Sequence, residues 1–185
     1  MSDRHRIPRM KTRRSSFDVF AQLGSLRRYA RSLTRNDADA EDLVHDALVR
    51  AYERRSGFRS GSNLRGWLLS ILHNTFIDRM RSARAEQQRI DAAAQLADAS
   101  MEAPQEHSAR LAQVRENFLA LPEEQRAAIH LVAIEGLAYQ EAADALGIPV
   151  GTLMSRLGRA RAALREMEEN PSSRPGHLRI VGGLS

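Results

Sequence analysis

Cysteine is absent from the 185 residues. That excludes a disulfide framework, a thiol nucleophile and cysteine-ligated zinc, and it suits a reducing cytosol. Aromatic residues are scarce, at 5% with a single Trp. No apolar run approaches the length of a spanning helix, and the opening MSDRHRIPRMKTRR lacks the apolar stretch of a signal peptide. A soluble, cytoplasmic protein without membrane contact is expected. No segment alternates apolar and polar residues as a strand would. Also missing are a serine–histidine–aspartate arrangement, a phosphate loop and suitably spaced catalytic carboxylates, so neither enzyme activity nor a cofactor is expected.

What is present is basic and helical. Lys and Arg number 28 against 23 Asp and Glu, a formal net charge of +5. Such a balance suits a polyanionic partner without requiring one. Residues 1–15 concentrate Arg4, Arg6, Arg9, Lys11, Arg13 and Arg14, the pattern of a basic disordered arm.

The periodicity predicts an all-α chain with two small helical domains, 16–84 and 110–168, separated by a flexible linker over 85–109. In the first, a helix from Ser16 to Leu33 turns Phe20, Leu23, Leu26, Ala30 and Leu33 inward. Asn36 or Asp37 caps a second, whose stripe is Ala40, Leu43, Val44, Ala47, Leu48, Ala51 and Tyr52. After the glycine- and serine-rich SGFRSGSN, Asn63 starts a third helix with Leu64, Leu68, Ile71, Leu72 and Phe76 inward, ending near Arg84. The stretch 85–109 has few large apolar residues and contains Pro104. Beyond it, Leu111, Val114, Phe118, Leu119 and Leu121 form one stripe, and LPEEQ restarts a helix that carries Ile129, Leu131, Val132 and Ile134 to Gly136. YQEAADALG is a two-turn helix closed by Gly147, with Ala142 and Ala143 small enough for a close helix crossing. The last helix packs Leu153, Leu157, Ala160 and Leu164, which completes a helix-turn-helix. Residues 169–185 read as a tail.

Three segments carry possible chemistry. In GIPVGTLMSRLGRAR, inward leucines leave Gly151, Thr152, Ser155 and Arg159 outward, with Met154 and Arg156 at the flanks. Hydroxyls among arginines suit a DNA groove, although a plain solvated helix end would look the same. In DAEDLVHD, Asp42 and His45 have the spacing of half a di-metal motif, but no second copy exists, so no metal is expected. Asp39, Glu41, Asp42 and Asp46 are either a solvated face or a docking surface for a basic partner. In GFRSGSNLRGWLLSILHNTFIDRMR, aromatic and basic residues beside a loop suit unstacked bases, although Trp67, next to Leu68, reads as core and Phe58 is open to either role.

In this order the three segments resemble a bacterial sigma factor of the extracytoplasmic-function (ECF) group, over about 16–84 and 110–166. DAEDLVHDALVRAY looks like the domain 2 helix that docks on the β′ clamp helices of core RNA polymerase, which assigns Asp39, Glu41, Asp42 and Asp46 to core binding. FRSGSNLRGWLLSILHNTFIDRMR looks like the element that opens and reads the promoter −10 region, which assigns Phe58, Arg59, Asn63, Asn74 and Arg81 to that DNA. LPEEQRAAIHLVAIEGLAYQEAADALGIPVGTLMSRLGRARAAL is similar to domain 4, which assigns Gln140, Thr152, Ser155, Arg156 and Arg159 to the −35 region. The resemblance implies promoter DNA, core polymerase and an anti-sigma factor as partners. Departures are Ala138 where Ser or Thr often caps a helix, Met154 where a basic residue is frequent, and Gly158 where a larger residue is usual. Two other readings share the pattern: a sigma mimic that sequesters an anti-sigma factor, and a helix-turn-helix repressor. Mimicry does not require Arg156 and Arg159, and a repressor leaves domain 2 unexplained.

Overall fold

A computed structural model of the chain describes residues 17–59, 61–91 and 109–169. Among the described residues there are α-helices and short 3-10 or π turns, and no strand. A 3-10 turn, Phe20–Gln22, leads into α1 (Leu23–Thr34), followed by α2 (Asp37–Glu53) and α3 (Leu64–Asp91). The second half holds α4 (Ala109–Ala120), α5 (Glu123–Ile129) with a π turn at His130–Ile134, α6 (Tyr139–Leu146) and α7 (Val150–Glu169). The expected arm at 1–15, most of the expected linker and nearly all of the tail lie outside the described residues. The linker's first residues, 85–91, are helical and continue α3.

The N-terminal bundle follows from local sequence. Arg35 ends α1 in the left-handed region (φ 60°), and its N–H donates to the Arg31 carbonyl. Asn36 then caps α2 by accepting the Asp39 N–H at 3.0 Å, with Asp37 and Asp39 in the dipole-favoured first turn. Leu26, Tyr29, Ala30 and Leu33 of α1 are buried with Leu43, Val44 and Ala47 of α2 and Leu68, Leu69 and Leu72 of α3. Each fully buried leucine contributes about 1.5–3 kcal/mol.

Five expected core residues are outside, among them Ile134 of the π turn, which is 48% exposed. Phe20 is 85% exposed because a 3-10 turn occupies that position and the α-helical phase starts only at Leu23. Tyr52, 64% exposed, is turned away from buried Ala51 by a single helical step. Leu111 and Val114 are exposed on α4, whose main packing is against α7, while Asn117 and Leu121 are buried.

The C-terminal bundle closes around Leu121, Leu131, Leu153 and Leu157, with Ala142, Ala143 and Ala160 keeping helices close. Gly147 (φ 64°) supplies the left-handed cap of α6, and the Ile148 N–H reaches back to the Ala143 carbonyl at 3.1 Å.

The two bundles pack together, α1 against α5 and α3 against α6. Arg126 of α5 is 2% exposed and crosses this joint. It donates to the Ser32 carbonyl of α1 and to the carbonyls of Leu119 and Leu121. Nearby, Arg28 of α1 grips Glu135, whose side chain is completely buried, at 3.1 Å. Burial alone would raise the Glu135 pKa, but Ser25, Arg28 and His130 more than offset it and hold the carboxyl below its ordinary value. Tyr29 bonds His73 at 3.0 Å and tilts against His130, with 5.1 Å between ring centroids, so one tyrosine joins α1, α3 and the π turn.

Replacing Arg126 with methionine keeps the bulk but strands buried carbonyls. A loss of about 2–4 kcal/mol is expected, read as a lower urea midpoint without loss of helix content at zero urea. A wild-type midpoint would show that the buried guanidinium holds nothing. His73 and His130 give a pH dependence. Burial pulls both down to about 4, and Arg156 adds to the shift of His73. The unfolded chain therefore binds more protons than the folded chain between about pH 4 and the ordinary His pKa of about 6.5. Stability should be flat above that window and fall as pH drops through it. Urea midpoints measured at pH 7.5 and 5.0 should diverge in the wild type and converge in a His73→Gln/His130→Gln variant.

Candidate nucleic-acid interface

On α7 the leucines do the anchoring. Leu153, Leu157 and Ala160 are buried, whereas Ser155 and Arg159 are exposed and Thr152 is half-buried. At 100° per residue, Thr152, Ser155 and Arg159 fall within about 60° of one another. Without a ligand the face satisfies itself: the Ser155 hydroxyl donates to the Thr152 carbonyl at 2.9 Å, and Arg159 Nε approaches the Ser155 carbonyl at 3.4 Å. Arg156 differs. Its side chain is 17% exposed and pairs with Glu124 of α5 at 3.0 Å. Gln140, exposed at the start of α6, donates to Asp144 at 2.8 Å. Met154 is exposed on a neighbouring side of α7.

On α3, Ser70, Asn74 and Arg81 lie within about 40° of one line along the helix. Asn63 caps its start, accepting the Gly66 N–H at 3.1 Å. A Cβ at Gly66 would lie in contact with the Asn63 amide, at 3.4 Å. From Asn63 to Arg81 the line is about 27 Å long. Asn74 and Arg81 are exposed, and Arg59 is exposed on the preceding loop. Phe58 is half-buried in an aromatic cluster with Phe17 and Trp67, at centroid distances of 5.8 and 5.2 Å.

The far end of Asn63 is also occupied. Its Nδ2 donates to Glu141 Oε1 of α6 at 2.8 Å, while Glu141 Oε2 accepts the Ala138 N–H at 3.0 Å. The Ala138 side chain offers no acceptor, so of the two capping-box bonds only that from the Ala138 N–H to this carboxylate is made. Bonds from Asn63 and the Ala138 N–H hold the Glu141 carboxyl below its usual range.

The acidic face of α2 is partly committed. Glu41 accepts from Arg27 at 3.0 Å, and Asp46 pairs with Arg79 of α3. Asp39 and Asp42 are exposed. Beside Asp42 run His45, Val49 and Tyr52, all exposed, with the Arg55 guanidinium 3.9 Å above the Tyr52 ring. Tyr52 was not separable from the core stripe by periodicity, because apolar character alone does not tell a buried position from an exposed one, whereas Val49 lies outside that stripe. No group of histidine and acidic residues suited to a metal ion occurs among the described residues.

Two family models match this architecture. Residues 19–86 match Sigma-70 region 2, and residues 111–164 match Sigma-70, region 4. The ECF RNA polymerase sigma factor EcfG of Rhodopseudomonas palustris is 37% identical over 80% of this chain and 81% of its own length. The chain belongs to the ECF RNA polymerase sigma factors. SigM of Mycobacterium tuberculosis, another ECF sigma factor, is 34% identical over 77% of this chain and 70% of its own. Among solved structures, the sigma factor RpoE of Bartonella quintana, in complex with the anti-sigma factor NepR, superposes with a TM-score of 0.69. It is 35% identical and covers 84% of this chain and 96% of that one. CnrH, solved with the cytosolic domain of CnrY, gives a TM-score of 0.58 at 28% identity, over 88% and 92% of the two chains. This sigma factor therefore shares both halves of its helical architecture with proteins that direct transcription initiation. No helix among the described residues is long and apolar enough to cross a membrane.

Proposed function

We propose that this sigma factor acts in the cytoplasm, docks on core RNA polymerase through the outer face of α2, and reads promoter DNA with α3 and α7. It contributes recognition and leaves catalysis to the polymerase, so it needs no cofactor. The observation that carries the reading is the division of labour on α7, where buried leucines secure an exposed face of hydroxyls and arginine. Thr152, Ser155 and Arg159 then take −35 base edges, and Gln140 and Arg156 take phosphates at the rim, Arg156 exchanging Glu124 for the DNA. On α3, Asn63, Asn74 and Arg81, with Arg59 and Phe58 from the loop, take the −10 strand.

Docking on core uses Asp39, Glu41, Asp42 and Asp46 together with the apolar pair Val49 and Tyr52. The basic clamp helices of β′ complement the carboxylates, and the apolar pair supplies the dry centre that a charged rim lacks. An anti-sigma factor is the further partner, supported by relatives captured with NepR and CnrY. The anti-anti-sigma factor PhyR shares the fold at 19% identity. Fold alone therefore does not separate sigma factor from mimic; the arginine-bearing face of α7 favours the sigma factor.

Initiation from a specific promoter is expected only when this chain and core polymerase are combined. A chain that binds an anti-sigma factor but supports no initiation would favour the mimic. Within the active complex, Arg159→Ala should relax preference at one or two −35 positions, because a base-reading arginine is worth about 1–3 kcal/mol of discrimination. Arg156→Ala should weaken all sequences alike and flatten the salt dependence. Competition binding on a −35 library at two salt concentrations separates the two. Asp42→Lys combined with Tyr52→Ala should abolish pull-down of core polymerase while leaving the far-UV spectrum of the free protein unchanged.

A further inference from the structure

Met154 has no part in the division of labour on α7. It is 54% exposed, the one large apolar side chain that this helix leaves in water, while Leu153, Leu157 and Ala160 hold the helix to its bundle. Gly151 and Gly158 flank it, three residues before and four after, and the three positions fall within about 60° of one another. A Cβ at either glycine would meet nothing within 4 Å. Glycine lowers helix stability relative to alanine, and nothing inside the molecule asks for it at either place. The result is a bare strip about 10 Å long with a single thioether standing on it. Arg161 and Arg165 continue the same side, both exposed, and α7 has no acidic residue from Val150 to Arg165.

That strip adjoins the face of Thr152, Ser155 and Arg159. Ser155 points most directly away from the buried leucines, with Thr152 about 60° to one side and Met154 about 100° to the other. A helix about 10–12 Å across fills a major groove about 12 Å wide, so both flanks of a seated α7 meet a groove wall. Side chains on a helix lean over the turn that precedes them, which carries Met154 over Gly151 toward the end that enters the groove. A thioether offers a phosphate neither charge nor a hydrogen-bond donor. On the base edges of that groove the one apolar group is the C5 methyl of thymine. We propose that Met154 reads a thymine of the −35 element through this methyl group. The two glycines let the groove wall close on the contact with no side chain in between. The inference rests on the −35 assignment of α7 and adds an apolar contact to the hydrogen-bonding ones of Thr152, Ser155 and Arg159.

Exchanging thymine for uracil removes the methyl group and leaves every hydrogen-bonding group of the base in place. The complex of the full-length sigma factor with core polymerase is titrated with the best-bound duplex of the −35 library, its thymines exchanged for uracil one at a time on both strands. One exchange should weaken binding about 3- to 5-fold, the worth of one buried methyl group. Met154→Ala should erase that loss at that position alone, and Met154→Leu should keep most of it. Met154→Lys should erase it too, while raising affinity for all sequences and steepening the salt dependence, because a cation on this flank meets phosphates. A parent protein that tells no −35 thymine from uracil overturns the proposal. Discrimination that survives in both Met154→Ala and Met154→Lys also overturns it, since the methyl group is then read elsewhere. Arg159→Ala reports on the underlying assignment. If it leaves sequence preference on the library untouched, α7 does not read the −35 element and the proposal falls with that reading. If it relaxes the preference while the uracil loss is indifferent to the residue at 154, the −35 assignment stands and the Met154 contact alone is wrong.

Discussion

A guanidinium buried between two helical bundles organises this molecule. Arg126 reaches three backbone carbonyls, one of them on the opposite bundle, and burial lowers its pKa only to about 10, so it stays charged. A buried cation tolerates no gap around it, because every lost acceptor leaves charge without compensation. The turn between α4 and α5, the end of α1 and the start of the second core are therefore fixed relative to each other. Glu135 repeats the logic with the opposite sign, a fully buried carboxylate met by Arg28 from outside. The joint is polar at its centre and apolar around it. That is the composition of a contact able to form and part without leaving a large apolar surface in water.

Much of this was legible from sequence because helical periodicity is a local property. The α2 stripe, the Asn36 and Asn63 caps, the Gly147 turn and the buried leucines of α7 all follow from residues within a few positions of one another. What periodicity misplaces are apolar residues at helix ends and on helices with one neighbour. Phe20 precedes the α-helical phase, Tyr52 follows the last buried turn of α2, and α4 is covered mainly by α7. The joint was illegible for a different reason. Arg126, Glu135 and Glu141 read as ordinary surface charges, and only the meeting of distant segments gives them partners 94, 107 and 78 residues away. Separate helical domains were the natural expectation, since each half has its own core and nothing local announces that they touch.

The α6 helix illustrates how one substitution redistributes work. With alanine at position 138, no hydroxyl accepts a first-turn N–H, and of the two capping-box bonds only that from the Ala138 N–H to Glu141 is made. The same carboxylate then has a second oxygen to spare, pointed at the neighbouring bundle.

The two ion pairs between α2 and α3 have a mechanical side. Arg79 clasps Asp46, and Arg50 meets Asp78 at 2.8 Å, so two pairs one turn apart on α2 tie it to α3 beside a leucine-rich seam. Such half-exposed pairs add little each, and it is the buried leucine seam beside them that couples the two helices. Whatever grips α2 at Asp42 and Tyr52 therefore also aims the far end of α3, and Arg81 inherits its position in space from a surface it never touches.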